Sequence, residues 1–296
     1  MRSSFHFISG DRHLSPLGKG LYRASHLLEK MINTNPGRLT FQTYRPTFDR
    51  DRYVAAFGQS ALDLSSARVL CLNFLLDHGR DVFSPTRSVA NLGCGSGRYA
   101  DFLRNTFGYR AYAGYDVKSH PEWKDRAAPS TRFSIAELGS DLIDVSASDL
   151  IFSQSVLEHV KEDKSVFCNF TSKKEKTVQH LHFVPAIGSY EAYGPHGYRR
   201  YGPRQIRNLL KVPGISNLRL HAIGSRLTRA MAKDHARKLS AGGFGKWTPA
   251  CPVYAPDLSI FDNLSRYQEH ISPSNPYDAE YYALMFDQII GRKETA

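Results

Sequence analysis

The stretch SVANLGCGSGRYADF, residues 88–102, decides how this chain is read. A short apolar run, Ser88 to Leu92, leads into three glycines at alternate positions, Gly93, Gly95 and Gly97, and then into a segment with helical spacing. A turn from a strand to a helix sets backbone N–H groups and the positive end of the helix dipole beside the strand's carboxyl end. Glycines there let the backbone come close to a ligand and take positive φ without steric cost. In open α/β sheets, ligands lie at that edge. The spacing narrows the choice. The dinucleotide fingerprint G-x-G-x-x-G/A needs a third small residue where this chain has Arg98, which argues against a nicotinamide oxidoreductase. No G-K-[ST] follows, so a phosphate-binding P-loop is excluded.

Outward from the turn the pattern alternates. Residues 88–92, 111–117, 149–155, 178–186 and 218–224 read as strands, and residues 97–107, 156–170 and 202–212 as helices. That alternation predicts an α/β fold with a mostly parallel sheet covered by helices on both faces. Residues 51–79 read as helical, with Leu62, Leu64, Val69, Leu70, Leu72 and Leu75 on an apolar face. EYYALMFDQII, about 280–290, reads as a last strand returning to the sheet. Residues 1–50 are expected to be a basic N-terminal arm, loosely organised apart from the amphipathic stretch LYRASHLLEKMI, which forms a helical cap. Residues 51–296 are expected to form the main domain, with an irregular C-terminal surface insertion at about 228–273.

At 296 residues, 41% of them hydrophobic, the chain can build one large core with additions. The net charge of +11 is concentrated in Arg2, Arg12, Lys19, Arg23, Lys30, Arg38 and Arg45, and again from Lys161 to Lys246. It favours anionic partners: phosphorylated small molecules, acidic glycans, lipid head groups or nucleic acid. No RNA-recognition, helix-turn-helix or zinc-finger pattern is present, so nucleic acid is not the favoured partner. The longest apolar run, Val69 to Leu76, is too short to span a bilayer, and the first residues lack a secretory pattern, so a cytoplasmic location is expected. Cys71, Cys94, Cys168 and Cys251 form no CxxC pair; reduced thiols are expected, and no metal site.

VANLGCGSGR, followed by an acidic residue in YAGYDV and by ASDLIFSQSVLEHV, resembles the class I S-adenosylmethionine-dependent methyltransferases, in particular their small-molecule branch. The resemblance spans about residues 51–224 and implies a Rossmann-like methyltransferase fold with S-adenosyl-L-methionine as cofactor. It implies that Gly93, Cys94, Gly95 and Gly97 pass under the methionine part and that Asp116, with Val117 beside it, receives the ribose. Glu137 falls near the adenine amino group, and Ser153 and Gln154 border the methionine end. Asn91 stands where the family usually has an acidic residue.

For methyl transfer the protein chiefly aligns the nucleophile and removes its proton. SQSVLEH lacks the Asn/Asp-Pro-Pro-aromatic turn of base amino-methylating enzymes, and no Pro-Cys follows the fourth strand. Transfer to oxygen is therefore favoured, with His159 and His196 as candidate bases. His182 shares a strand face with His180 and reads as core, and Ser155-x-x-Glu158 reads as a capping box. In GPHGYRRYGPRQI, the side chains Tyr198, Arg199, Arg200 and Tyr201 are candidates for holding an anionic small or glycan-like acceptor. An RNA or protein methyltransferase using the basic surface, and an inactive interaction protein on the same scaffold, are the alternatives.

Overall fold

The computed structural model describes residues 8–33, 39–240 and 249–291. Arg2, Arg38 and Lys246 lie outside the described residues. Among the described residues ten strands form: β1 (Phe41–Thr43), β2 (Ser88–Leu92), β3 (Ala111–Asp116), β4 (Thr131–Ile135), β5 (Ile143–Asp144), β6 (Leu150–Gln154), β7 (Phe170–Thr171), β8 (Lys176–Pro185), β9 (Ile215–Ile223) and β10 (Tyr281–Ile290). Eight make one sheet in the order β1-β9-β10-β8-β6-β2-β3-β4, and β5 pairs with β7. Every neighbour in the large sheet is parallel except β10, which runs antiparallel to both β8 and β9. This is a Rossmann-like α/β fold with a mostly parallel sheet, as the alternation implies.

Strand direction across the sheet explains where a ligand can sit. From β2 the chain steps outward to β3 and β4, then returns to place β6 on the other side of β2. The crossover connections leaving β2 and β6 thus diverge, and a crevice opens at their carboxyl ends. β2 is buried along its whole length, as expected for a strand covered on both faces.

Among the described residues ten α-helices accompany the sheet: α1 (Pro16–Ile32), α2 (Arg50–Phe57), α3 (Ser66–His78), α4 (Arg98–Thr106), α5 (Trp123–Arg126), α6 (Asp163–Cys168), α7 (Tyr190–Tyr193), α8 (Pro203–Leu209), α9 (Arg226–Ser240) and α10 (Ile260–Arg266). One core joins Leu70 and Phe74 of α3, Met231 of α9 and Phe261 of α10 to Phe152 and Phe183 of the sheet. The other joins Phe167 of α6 and Ile206 of α8 to Ile151, Val184 and Phe286.

Three expectations need correction. The described part of the first 50 residues, 8–33 and 39–50, is not a loose arm, and the amphipathic stretch forms the expected helix. Ser15 caps α1 by accepting from Gly18 N at 3.1 Å, and β1 extends the sheet by pairing in parallel with β9. The described residues of the region around 228–273 are not a surface insertion: Met231, Ala232, Ile260, Phe261 and Leu264 are buried in the core, and Asp234 accepts from Ala250 N and Cys251 N at 3.1 and 2.7 Å. The helix expected over 156–170 is broken into a single turn at Leu157–His159 and the short α6. The carbonyls of Val160 and Lys161 accept from the Arg199 guanidinium, which holds the chain off a helical path between them.

Candidate functional site

All three glycines of the turn have left-handed φ, at +60°, +52° and +82° for Gly93, Gly95 and Gly97. Their surroundings differ. A Cβ on Gly93 would lie 2.4 Å from Val156 Cγ2, and one on Gly97 would lie 2.7 Å from the Phe133 ring. A Cβ on Gly95 would meet nothing within 4 Å. Two of the glycines are therefore demanded by packing, whereas Gly95 faces open space. Cys94 N donates to Tyr115 O at 3.0 Å, and Gly95 N donates to Asp116 Oδ2 at 2.8 Å, so the turn is fastened to the end of β3. The other oxygen, Asp116 Oδ1, has only long contacts, 3.5 Å from Lys118 N and 3.8 Å from His120 Nε2. At the ends of β3 and β4, Val117 and Ile135 are 65% and 64% exposed, which sets apolar surface beside that carboxylate.

Two residues of α5 that the sequence did not mark hold the turn from its other side. Trp123 Nε1 donates to Gly95 O at 2.7 Å, and its indole stacks on Phe133 with centroids 5.2 Å apart. Arg126 donates to Ser96 O at 2.9 Å and pairs with Asp101 at 2.7 Å.

Other expected cofactor contacts are placed differently. Asn91 is buried, and its Nδ2 donates to Tyr112 Oη at 2.6 Å inside the sheet. The Cys94 thiol is buried, a Cβ on Gly114 would lie 2.9 Å from its Sγ, and burial followed by the nearby Asp116 charge pushes it up to about 12; it packs. Ser153 is a correction. Its Oγ is bonded to His182 Nδ1 at 2.7 Å, fully buried, and His182 Nε2 lies 3.0 Å from His180 Nδ1. Glu137 sits in an exposed loop past β4, where its backbone N–H donates to Asp141.

The carboxyl ends of β6 and β8 gather a second group of side chains. His159 Nδ1 lies 2.7 Å from Asp11 Oδ2, and His196 Nδ1 lies 3.3 Å from Asp11 Oδ1; the two rings meet edge to face at 4.6 Å. The two candidate bases thus come together on one carboxylate. Burial alone would raise the Asp11 pKa, but the hydrogen bonds from His159 and Gly197 N, with the His159 charge, outweigh it and hold the group below the usual carboxylate value. An ionised carboxylate only accepts, so both imidazoles present Nδ1–H to it, and His159 Nε2 lies 3.9 Å from Glu158 Oε1. Desolvation, then the His159 and Arg200 charges, pull His196 down to about 4, so it is neutral at pH 7. Asp11 is 148 residues from His159, and no local signal pointed to it.

Glu158 is the other surprise. It does not cap a helix: Ser155 takes φ +53° and its Oγ bonds Tyr281 Oη at 2.8 Å. The Glu158 carboxylate is 0% exposed, neither oxygen has a hydrogen-bond partner among the described residues, and burial pushes it up to about 7. Gln154 Oε1 and Arg200 Nε are likewise buried without partners. Buried polar atoms without partners are rare and mark places that a water or a ligand completes.

The loop expected to hold the acceptor is mostly structural. Arg199 is buried and pairs with Asp163 at 2.7 Å, and Tyr201 Oη donates to the same carboxylate at 2.8 Å. Neither is free to bind an acceptor. Arg200 donates to His196 O at 2.6 Å and Gly194 O at 3.1 Å, bracing the loop. Tyr198 is half-buried and tied by its backbone N–H to Glu158 O at 2.7 Å.

No family model matches this chain, and no curated protein matches it. Solved structures do. A Haemonchus contortus phosphoethanolamine N-methyltransferase 2 in complex with S-adenosyl-L-methionine is 14% identical over 82% of this chain, with a TM-score of 0.49. This chain spans a little over half of that enzyme, 56%. A putative sarcosine dimethylglycine methyltransferase from Galdieria sulphuraria is 15% identical over 83% of this chain and 100% of its own, with a TM-score of 0.49. The [4+2]-cyclase SpnF is 16% identical over 92% and 96%, with a TM-score of 0.46.

Proposed function

We propose that this chain is an S-adenosylmethionine-dependent methyltransferase acting on an oxygen of a small or glycan-like, anionic acceptor. One observation carries the reading: a left-handed glycine turn at the end of β2, open at Gly95 and fastened to a carboxylate at the end of β3 that has one oxygen to spare. That arrangement fits the cofactor. Asp116 Oδ1 would accept from the ribose hydroxyls, since one carboxylate oxygen stays available after the bond to Gly95 N. Val117 and Ile135 would flank the adenine with apolar surface, and Gly95 would let the backbone run against the rest of the molecule. When bound, the cofactor supplies an electrophilic methyl group on a sulfonium.

The chain's own contribution is alignment and proton removal. Asp11 fixes both imidazoles by their Nδ1–H; neutral His196 keeps its Nε2 lone pair as a proton acceptor, and His159 Nε2 lies 3.9 Å from the buried Glu158 carboxylate. A positioned base of this kind contributes about 10²–10⁴-fold to rate. The anion preference rests on the +11 net charge and on Arg200, whose Nε is buried without a partner.

Binding calorimetry with S-adenosylmethionine and S-adenosylhomocysteine, beside an NAD control, tests the reading. Wild type is expected to bind both and not NAD, and Asp116→Ala and Gly95→Leu to bind at least about tenfold more weakly, since a hydrogen bond to a charged group is worth about 1.5–3 kcal/mol. No binding by folded wild type, or binding indifferent to both substitutions, overturns it.

A further inference from the structure

The N-terminal helix α1 wears its apolar face outward. Leu17, Leu21, Leu27, Leu28, Met31 and Ile32 are all exposed, Leu17 at 74% and Met31 at 70%. They make up six of the eleven large hydrophobic side chains that are exposed among the described residues. At 3.6 residues per turn these positions fall on one stripe, and the remaining residues within it are Gly20 and Ala24. The helix runs about 25 Å, so the stripe is a continuous apolar ridge.

Its orientation is fixed from behind. Tyr22 Oη donates to His196 O at 2.9 Å, the His26 ring stacks on Tyr190 at 4.2 Å, and Asn33 Oδ1 accepts from Arg204 N at 2.9 Å. The apolar ridge therefore cannot turn inward without breaking contacts to the loop that carries His196.

Charge identifies what covers the ridge. Lys19, Arg23 and Lys30 are exposed along one flank of the stripe; Lys30 pairs with Glu191 at 3.1 Å. Between Asp11 and Glu29 the sequence contains no acidic residue. A second copy of this helix would bring no exposed carboxylate to those cations, since its one acid, Glu29, is buried and accepts from Asn33 and Gln205. A layer of anionic head groups would, while the acyl region accepts the ridge. A helix with an apolar face bordered by Lys and Arg lies in the plane of such an interface. We propose that α1 docks the protein on an anionic lipid bilayer, with Leu17, Leu21, Leu28 and Met31 in the acyl boundary and Lys19 and Arg23 among the head groups. The inference does not depend on the methyl-transfer reading.

Flotation with vesicles of phosphatidylcholine alone and of phosphatidylcholine with phosphatidylserine tests it on the full chain. Wild type is expected to float with the anionic vesicles and to bind neutral ones at least about tenfold more weakly. Lys19→Gln with Arg23→Gln should cost about thirtyfold, from the usual contribution of two basic residues at an anionic surface. Leu21→Gln with Leu28→Gln, exposed positions where glutamine keeps the helix, should abolish flotation without changing the circular dichroism spectrum or the thermal midpoint. Wild type that ignores anionic vesicles at low salt overturns the proposal, as does binding untouched by the leucine pair. So does a stable wild-type dimer, measured by analytical ultracentrifugation, that the leucine pair turns into a monomer, because then a second copy covers the ridge.

Discussion

Gly93 and Gly95 share a backbone conformation and differ in what surrounds them, so replacing each by alanine separates strain from function. An alanine held at φ near +55° costs about 1–2 kcal/mol, against which the loss of glycine's freedom in the unfolded chain returns about 0.4–1 kcal/mol. Gly95→Ala, whose Cβ meets nothing within 4 Å, should therefore lower stability by only about 1 kcal/mol. Gly93→Ala carries the same cost and also drives a methyl group to 2.4 Å from Val156 Cγ2. Overpacking of this kind adds about 1–3 kcal/mol, for a total of about 2–4 kcal/mol. Urea unfolding measures both. Cofactor calorimetry on the same samples should show the reverse emphasis: Gly95→Ala, nearly intact as a fold, loses affinity because its methyl group stands in the open space that the ligand needs. Equal destabilisation by the two changes would refute the packing argument, and unchanged cofactor affinity in Gly95→Ala would refute the placement of the ligand.

Other consequences are open to measurement. Asp163→Ala leaves the buried Arg199 guanidinium without its carboxylate and Tyr201 without its acceptor, and should cost about 3–5 kcal/mol in urea unfolding; a loss under 1 kcal/mol would return Arg199 to the pool of acceptor-binding side chains. Burial holds His182 down to about 3, and burial with the neighbouring His182 holds His180 well below its ordinary value. Both rings are thus neutral when folded and take a proton near pH 6.5 when unfolded, so their contribution is complete above about pH 6.5 and is lost as the pH falls. Each adds about 1.4 kcal/mol per pH unit to the acid slope of stability, and His180→Phe should flatten that slope by one proton between about pH 4 and 6. An unchanged slope would mean that His180 is already charged in the folded protein. His159→Ala should leave cofactor affinity intact while S-adenosylhomocysteine formation with an acceptor falls by about 10²–10⁴-fold; a fall in cofactor affinity instead would assign His159 to the cofactor pocket.

Much of the sheet was legible because its strands are short, buried and bounded by turn residues, as Ser88–Leu92 and Tyr281–Ile290 are. The glycine turn and Asp116 were legible because a strand-to-helix turn of this kind leaves little freedom in which residues can occupy it. Distant pairings were not. Asp11 meets His159 and His196 only through the folded N-terminal segment, and nothing in the local sequence of any of the three announces the others. Arg199 and Tyr201 looked available for a ligand because their partner Asp163 is 36 and 38 residues away on another element. Helix α9 was missed because its pattern is rich in Arg and Lys, while the residues that bury it include Thr228, Asp234 and His235 rather than a run of leucines. The outward stripe of α1 was visible as periodicity, yet periodicity alone does not say whether a ridge faces the core or the solvent.

The place of β10 bears on how the protein can be made. It is the latest strand in the chain, and it lies between β8 and β9, hydrogen-bonded to both along most of its length. During synthesis the parallel block from β4 to β8 and the outer pair of β1 and β9 have no ladder between them until residues 281–290 have emerged. β9, complete at Ile223, must wait for Tyr281–Ile290 with one edge unpaired, at a synthesis rate of about 5–20 residues per second. Closure of the sheet is thus a late, single event, and a ribosome stalled short of Tyr281 would hold two unfinished pieces with exposed strand edges rather than a slightly shortened protein.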